Sequence, residues 1–373
     1  MLMTARSTIV LAIAAALAAT ILLAPPAAAG ATGAVSVVAS GLDNPRGLTF
    51  GPDGKLYVAL GGRGGDMSTT PKQCQQVPVP IGPETGGFTS SIVTVAPNGT
   101  VSPVAIGLPS SSTTVDSGGL TSGVADVDFI GHTLYALTSG AGCSHGLFGT
   151  DNAVLRVNAD GTTTRVANLS EFIKANPVAN PEEDDFEPDG TWYSMVPYKG
   201  DLYAVEPNHG EVDRINPWTG EISRVVDVSA SQGHIVPTSI AFGGLFGGLA
   251  LGNLGTFPVT PGSEQLMRVN PFSGNLSVVR KGFTTMLGLD FDLWGNLYVL
   301  ESMTAPGFPG PQELGTGKII RISLFGGTST LVTGLSFPTA MTIGPDGALY
   351  VSNLGFAGPG AGQILRVATS RFG

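Results

Sequence analysis

A six-fold echo constrains this chain more than any other feature. The phrase "GKLYVAL" (54–60) returns as "HTLYALT" (132–138), "GDLYAVE" (200–206), "GGLALGN" (247–253), "GNLYVLE" (295–301) and "GALYVSN" (347–353). The first leucines of these phrases stand at positions 56, 134, 202, 249, 297 and 349. Repeats at this spacing mark architectures in which each unit buries its apolar faces only against its neighbours.

Two more phrases travel with each copy. One precedes it, as in "PRGLTFGPDGK" (45–55), "LGLDFDLWGN" (287–296) and "PTAMTIGPDGA" (338–348). The other follows, as in "VLRVNADGT" (154–162), "VDRINPWTGE" (212–221) and "LMRVNPFSGN" (266–275). These short apolar or alternating runs, bounded by Gly, Pro, Asn and Asp, read as strands joined by tight turns. A fourth strand closes five units, as in "VSPVAIGL" (101–108), "TTRVANLS" (163–170) and "STLVTGLS" (329–336), but the sixth stops at "ATSRFG". The missing strand is found at the other end, in "AVSVVASGL" (34–42). Four antiparallel strands repeated radially make propeller blades. The reading is therefore an all-β, six-bladed β-propeller closed by the N-terminal strand pairing into the last blade, as one domain over residues 30–373. A solenoid needs no strand displaced from the other terminus, and a sandwich does not call for six copies in register. In the closing strand, alternation puts Val35, Val37 and Ala39 on one face and Val38 on the other.

The first 29 residues stand apart. Arg6, an apolar run from Ile9 to Ala24, and small residues ending at Ala29 form the three-part pattern of a secretory signal peptide. The expectation is an exported protein, periplasmic or extracellular, with no membrane insertion after cleavage. Charge is sparse and acidic, with 18 basic and 28 acidic residues. That disfavours nucleic acid and anionic membrane surfaces, which require Lys and Arg clusters. A monomer is expected. Cys74 and Cys143 are the only cysteines. In an exported chain an even count favours a disulfide, and both fall in second-to-third-strand loops of adjoining units.

Hairpins on one side of the ring are short, whereas the other side carries residues 61–90, 107–123, 139–152, 169–191, 229–236, 254–264 and 302–317. Connections this long are often functional. His145, His209 and His234 lie among them, with the acidic run Glu182, Glu183, Asp184, Asp185, Glu187 and Asp189, while His132 sits in an opposite turn. Ser170 is expected to start a short helix in "SEFIKAN". The acidic run reads first as a solvated loop.

The second strands end in Leu60, Thr138, Glu206, Asn253, Glu301 and Asn353. Oxygen ligands at one level around an axis suit Ca²⁺ or another divalent cation, so Glu206, Asn253, Glu301 and Asn353 are the candidate metal set. Side chains of this kind also end strands by accepting from the next turn's amides, and both readings stay open. Arg156, Arg214, Arg268, Arg321 and Arg366 share one position of the third strand, which points to architecture, either as partners of the acidic strand ends or as cover for sheet edges. No phosphate-binding loop, HExxH helix or GxSxG elbow is present.

The phrases "NPRGLTFGPDGKLYVAL", "GTWYSMVPYKGDLYAVEPNHGEVDRINPWTGEI" and "PTAMTIGPDGALYVSN" resemble the ScyD/ScyE family of exported proteins with NHL-like propeller repeats. The resemblance spans nearly the whole chain after the signal and implies fold and export rather than a reaction. More distantly, the repeats look like NHL, gluconolactonase-type and sugar-dehydrogenase propellers. NHL-type repeats commonly end the second strand in Asp; Glu206, Asn253, Glu301 and Asn353 take that place here, and Leu60 and Thr138 depart from it. The functional expectation is a binding or interaction protein that engages a small molecule or protein on its long-loop face. The alternative is a metal-dependent hydrolase or lactonase with its site at the mouth of the central channel.

Overall fold

The structure, a computed structural model, describes residues 34–181, 186–243 and 247–369. Six antiparallel sheets follow one another around a central channel. Blade 1 comprises Pro45–Phe50, Leu56–Leu60, Thr85–Val95 and Val101–Ser112, with a fifth short strand, Thr121–Ser122. Blade 2 comprises Val124–Ile130, Thr133–Thr138, Ala153–Val157 and Thr163–Asn168. Blade 3 follows as Ser194–Tyr198, Asp201–Glu206, Glu211–Ile215 and Ile222–Asp227, and blade 4 as Pro237–Gly243, Gly248–Asn253, Glu264–Val269 and Leu276–Phe283. Blade 5 holds Met286–Phe291, Leu297–Glu301, Gly317–Ile322 and Thr328–Leu335. Blade 6 holds Ala340–Ile343, Leu349–Asn353 and Gly362–Val367, and takes Val35–Leu42 as its outermost strand. The signal-peptide reading of residues 1–29 falls outside the described residues. Among the described residues no helix is long and apolar enough to cross a membrane.

Ring closure is seen in the register. Val35 pairs with Val367, Val37 with Leu365 and Ala39 with Ile364. The alternation expected along this strand is shifted, however. The ladder skips Val38, so Ala39 and Leu42 turn inward to pack with Leu48, Leu56, Val58 and Ile364, while Val35 and Val37 are exposed. A bulged residue has no partner opposite, so side-chain parity changes across it. The same skip occurs in the outer strand of every blade, at Val38, Val104, Val166, Val225, Val279 and Leu331.

Neighbouring blades pack face to face through buried aliphatic and aromatic side chains. Between blades 3 and 4, for example, Tyr203, Val205 and Val212 meet Leu249, Leu251 and Met267. Each such side chain, fully buried, contributes about 1.5–3 kcal/mol by removal from water. Among the described residues the innermost strands have no strand partner on the channel side, so some of their amides need other acceptors. Carboxylates supply them. Asp126 accepts from Val127 N (2.8 Å) and Met195 N (2.7 Å), and Asp128 accepts from Phe129 N (2.7 Å). Across the ring, Asp290 accepts from Phe291 N (2.7 Å) and Ile343 N (2.8 Å).

Two expectations about the long-loop face are revised. Residues 85–90 and 107–112 are not loops: they extend the outer strands of blade 1 into a ribbon, with Thr85 paired to Ser112. The helix Leu169–Ala175 is capped by Asn168, which accepts from Glu171 N (3.0 Å), not by Ser170. Ser170 instead donates to Asp189 O (2.8 Å), tying the helix to the next connection. Two of the repeated arginines find partners other than the strand ends. Arg214 pairs with Asp201 and Arg366 with Asp346, acidic residues at the first hairpin of the blade.

Candidate functional site

The four strand-end residues are each engaged inside their own blade, on the connection that leads into it. Glu206 accepts from Thr191 N (2.7 Å) and His209 N (2.5 Å). Asn253 donates to Ile235 O (2.9 Å) and accepts from Gln265 N (2.9 Å). Glu301 accepts from Thr284 N (3.0 Å) and pairs with Lys318 (2.9 Å). Burial pushes the Glu301 carboxyl up, with Lys318 opposing. Asn353 accepts from Ser336 N (3.0 Å) and donates to Gln363 (3.2 Å). Thr191, Ile235, Thr284 and Ser336 all belong to the segments entering blades 3 to 6. The shared position thus has a shared job: it pins the incoming loop.

The long-loop end of the channel carries a buried cation. Arg46 donates to Gly355 O and Thr121 O, both at 2.6 Å, and lies 4.5 Å over the ring of Phe356. Burial lowers its guanidinium to about 10. It joins the loops of blades 6 and 1 across the seam of the ring. Below it the channel encloses about 150 Å³, lined by the six innermost strands. Asp128 and Asp290 face this space deeper in, with Thr49 Oγ1 3.3 Å from Asp128 and Thr342 Oγ1 3.4 Å from Asp290. Burial raises Asp128 to about 7 and Asp290 to about 6, against the pull of their amide partners. Both keep some surface toward the channel, but protein surrounds them on every other side.

A second constellation sits above blades 1 to 3. Cys74 and Cys143 form the disulfide, with Cα atoms 6.1 Å apart, joining the second-to-third-strand loops of blades 1 and 2. Two residues on, His145 is fully buried. Its Nδ1 lies 2.7 Å from Glu84 Oε2 and 3.1 Å from Ser111 Oγ; its Nε2 lies 3.0 Å from Gly190 O and 3.5 Å from Glu187 Oε2. Burial opposes a charge on the ring, yet Glu84, Glu187 and Asp189 outweigh it and raise His145 to about 10. Since a carbonyl and a carboxylate can only accept, both ring nitrogens donate, and His145 stands as an imidazolium. Ligand atoms of Glu84, His145 and Glu187 all lie within 4.8 Å of one another, so the group could hold a metal ion. Burial pushes Asp189 up, but Lys174 and the Ser144 hydroxyl and amide hold its carboxyl below the usual range. Sequence reasoning placed His145 and Glu187 on this face without joining them, and passed over Glu84. Glu182, Glu183, Asp184 and Asp185 fall outside the described residues.

Beside this cluster lies a groove of about 350 Å³. Ile173, Pro177, Val178, Phe186 and Pro188 form its apolar walls, and Cys74, Lys174, Asp189 and His209 contribute polar or polarisable groups. His209 is fixed by its Nε2, 3.0 Å from Glu187 O, and by the Phe186 ring at 4.9 Å.

No family model matches the chain, and no curated protein matches it in sequence. Solved structures do resemble it. A putative oxidoreductase (glucose dehydrogenase) from Thermus thermophilus is 17% identical, with a TM-score of 0.55 over 90% of this chain and 100% of that one. A gluconolactonase from Xanthomonas campestris is 10% identical (TM-score 0.52, 90% of each chain). The calcium-binding protein regucalcin from Agrobacterium tumefaciens is 13% identical (TM-score 0.52, 90% of this chain and 94% of that one). At such identities the likeness concerns the fold, and the class it defines is the six-bladed β-propeller.

Proposed function

We propose that this chain is an exported, ScyD/ScyE-like propeller that binds a small, largely apolar molecule in the groove over blades 2 and 3. The groove itself carries the reading. It combines apolar walls with a few fixed polar groups, the usual make-up of a small-molecule site, and the Cys74–Cys143 bridge holds one of its edges in place. The bridge is also what an exported protein can keep oxidised. Binding rather than turnover is the role assigned.

The competing reading places Ca²⁺ or another divalent cation on Glu206, Asn253, Glu301 and Asn353, as a hydrolase or lactonase at the channel mouth. Those side chains would have to release the loops they pin, and the buried Arg46 cation at the same end opposes a second cation nearby. To test the groove, the folded protein is titrated with anilinonaphthalene sulfonate, an apolar fluorescent probe. Saturable one-site binding that Val178→Asp abolishes, with an unchanged circular dichroism spectrum, supports it. Binding indifferent to that substitution counts against the groove. Turnover of a lactone, ester or sugar by the purified protein would end the non-catalytic reading.

A further inference from the structure

We propose that His145 Nε2, a Glu187 carboxylate oxygen and the Gly190 carbonyl contribute three ligands to a buried divalent-cation site, with Glu84 orienting the His145 ring through Nδ1. Around a metal bonded at about 2.0–2.1 Å, neighbouring ligand atoms stand about 3.0–3.4 Å apart. Nε2 already lies 3.0 Å from Gly190 O and 3.5 Å from Glu187 Oε2. On the other side of the ring, the 2.7 Å contact from Nδ1 to Glu84 is the carboxylate–histidine arrangement that fixes the tautomer of a metal-binding imidazole.

Charge favours the same conclusion. A divalent cation held by one neutral imidazole beside the two buried carboxylates of Glu84 and Glu187 is charge-balanced. One imidazole with carboxylate and carbonyl oxygens suits Zn²⁺ better than Ca²⁺, which prefers oxygen ligands throughout.

Burial sets the role. His145 is 0%, Glu84 2% and Glu187 6% exposed, so a metal held here has little access to a substrate. Such burial suits a structural ion, of whose four positions these groups fill three. The three residues come from three separate segments: the loop before the third strand of blade 1, the equivalent loop of blade 2, and the connection into blade 3. The ion would staple these segments together beside the disulfide.

The disulfide-intact protein is stripped with a chelator, dialysed against ZnCl₂ and its zinc counted by elemental analysis, and its thermal unfolding is followed. The expected result is one zinc per chain and a higher melting temperature, with CaCl₂ producing no such rise. Glu187→Gln should weaken zinc binding at least tenfold. Glu84→Gln, which keeps all three ligands, should weaken it by roughly ten- to a hundredfold. No retained zinc in the parent protein overturns the proposal, and that measurement needs no variant to fold. Zinc bound equally well by a folded Glu187→Gln chain overturns it too, by locating the metal elsewhere. Probe binding in the groove is read separately, so the two assignments stand or fall independently.

Discussion

The backbone of Gly99 lies against the carbonyl of Val38, so closely that a Cβ on Gly99 would fall 2.6 Å from that oxygen. Val38 is the bulged residue of the N-terminal strand, and Gly99 is in the outer hairpin of blade 1. The contact recurs around the ring: Gly161 meets Val104 O, Gly220 meets Val166 O and Gly274 meets Val225 O. In each pair the bulge of one blade receives the turn of the next. The N-terminal strand therefore stands toward blade 1 as the outer strand of blade 1 stands toward blade 2.

Two measurements follow from that contact. A chain beginning at Ala34 keeps every pairing of the closing strand, whereas one beginning at Gly41 loses most of them, with the burial of Ala39 and Val38. The longer form should melt like the parent; the shorter should lose at least about 2 kcal/mol and self-associate through the exposed edge. Equal melting of the two would remove the strand from the closure. A point substitution isolates the turn. Gly99→Ala meets both a positive φ of 84° and the Val38 carbonyl, while Gly107→Ala meets only its φ of 72° in open space. Both should destabilise, by about 1 kcal/mol for Gly107→Ala and by more for Gly99→Ala.

The channel carboxylates should make stability fall as pH rises. Asp128 is raised to about 7 and Asp290 to about 6 by burial, so between about pH 4 and 7 the folded chain holds protons that the unfolded chain has released. Stability declines wherever the native state binds more protons, and the decline is complete above the folded values. Asp128→Asn keeps an acceptor oxygen for Phe129 N but cannot ionise. Relative to the parent, it should gain on the order of 2 kcal/mol between pH 4.5 and 8. Chemical denaturation of both proteins across that range is the measurement. A constant difference would mean that Asp128 titrates at its ordinary value.

How much of this was legible beforehand varies by residue. The blades are written in local, repeated phrases, so their number and the need for a strand at Val35–Leu42 could be read by counting. The inward side of that strand could not, because the bulge at Val38 is a matter of pairing, and alternation alone gives it no mark. Residues 85–90 and 107–112, rich in Gly and Ser, carry a loop-like composition; they are strand only because each supplies the other's backbone partners. Glu84, His145 and Glu187 stand on three separate connections, and only the ring brings those connections together. The one available signal was the disulfide, since Cys143 lies two residues before His145.

The disulfide closes 69 residues of chain between Cys74 and Cys143. By the chain-entropy argument, removing it should destabilise the protein by about 2–4 kcal/mol. Cys74→Ser with Cys143→Ser should therefore melt lower and expose the loop over blade 1 to protease first. Denatured, unreduced parent protein should contain no titratable thiol. Two reactive thiols would show that the bridge does not form.

The strand-end residues allow a sharp separation of the two readings of their shared level. Glu206 uses one carboxylate oxygen on Thr191 N and the other on His209 N, and the whole side chain is buried. Glu206→Gln preserves the shape but turns an NH₂ toward one of those amides, so a donor faces a donor. Leaving a buried amide without its acceptor costs about 1–3 kcal/mol. If the residue pins the loop, the variant loses that much stability equally in chelator and in CaCl₂, and the parent gains nothing from calcium. If Glu206, Asn253, Glu301 and Asn353 hold a cation instead, CaCl₂ raises the melting temperature of the parent and the rise disappears in Glu206→Gln. The pinning outcome is expected, because all four residues serve the loop entering their own blade, each through a different backbone group, and an ion could take them only by breaking four such contacts at once.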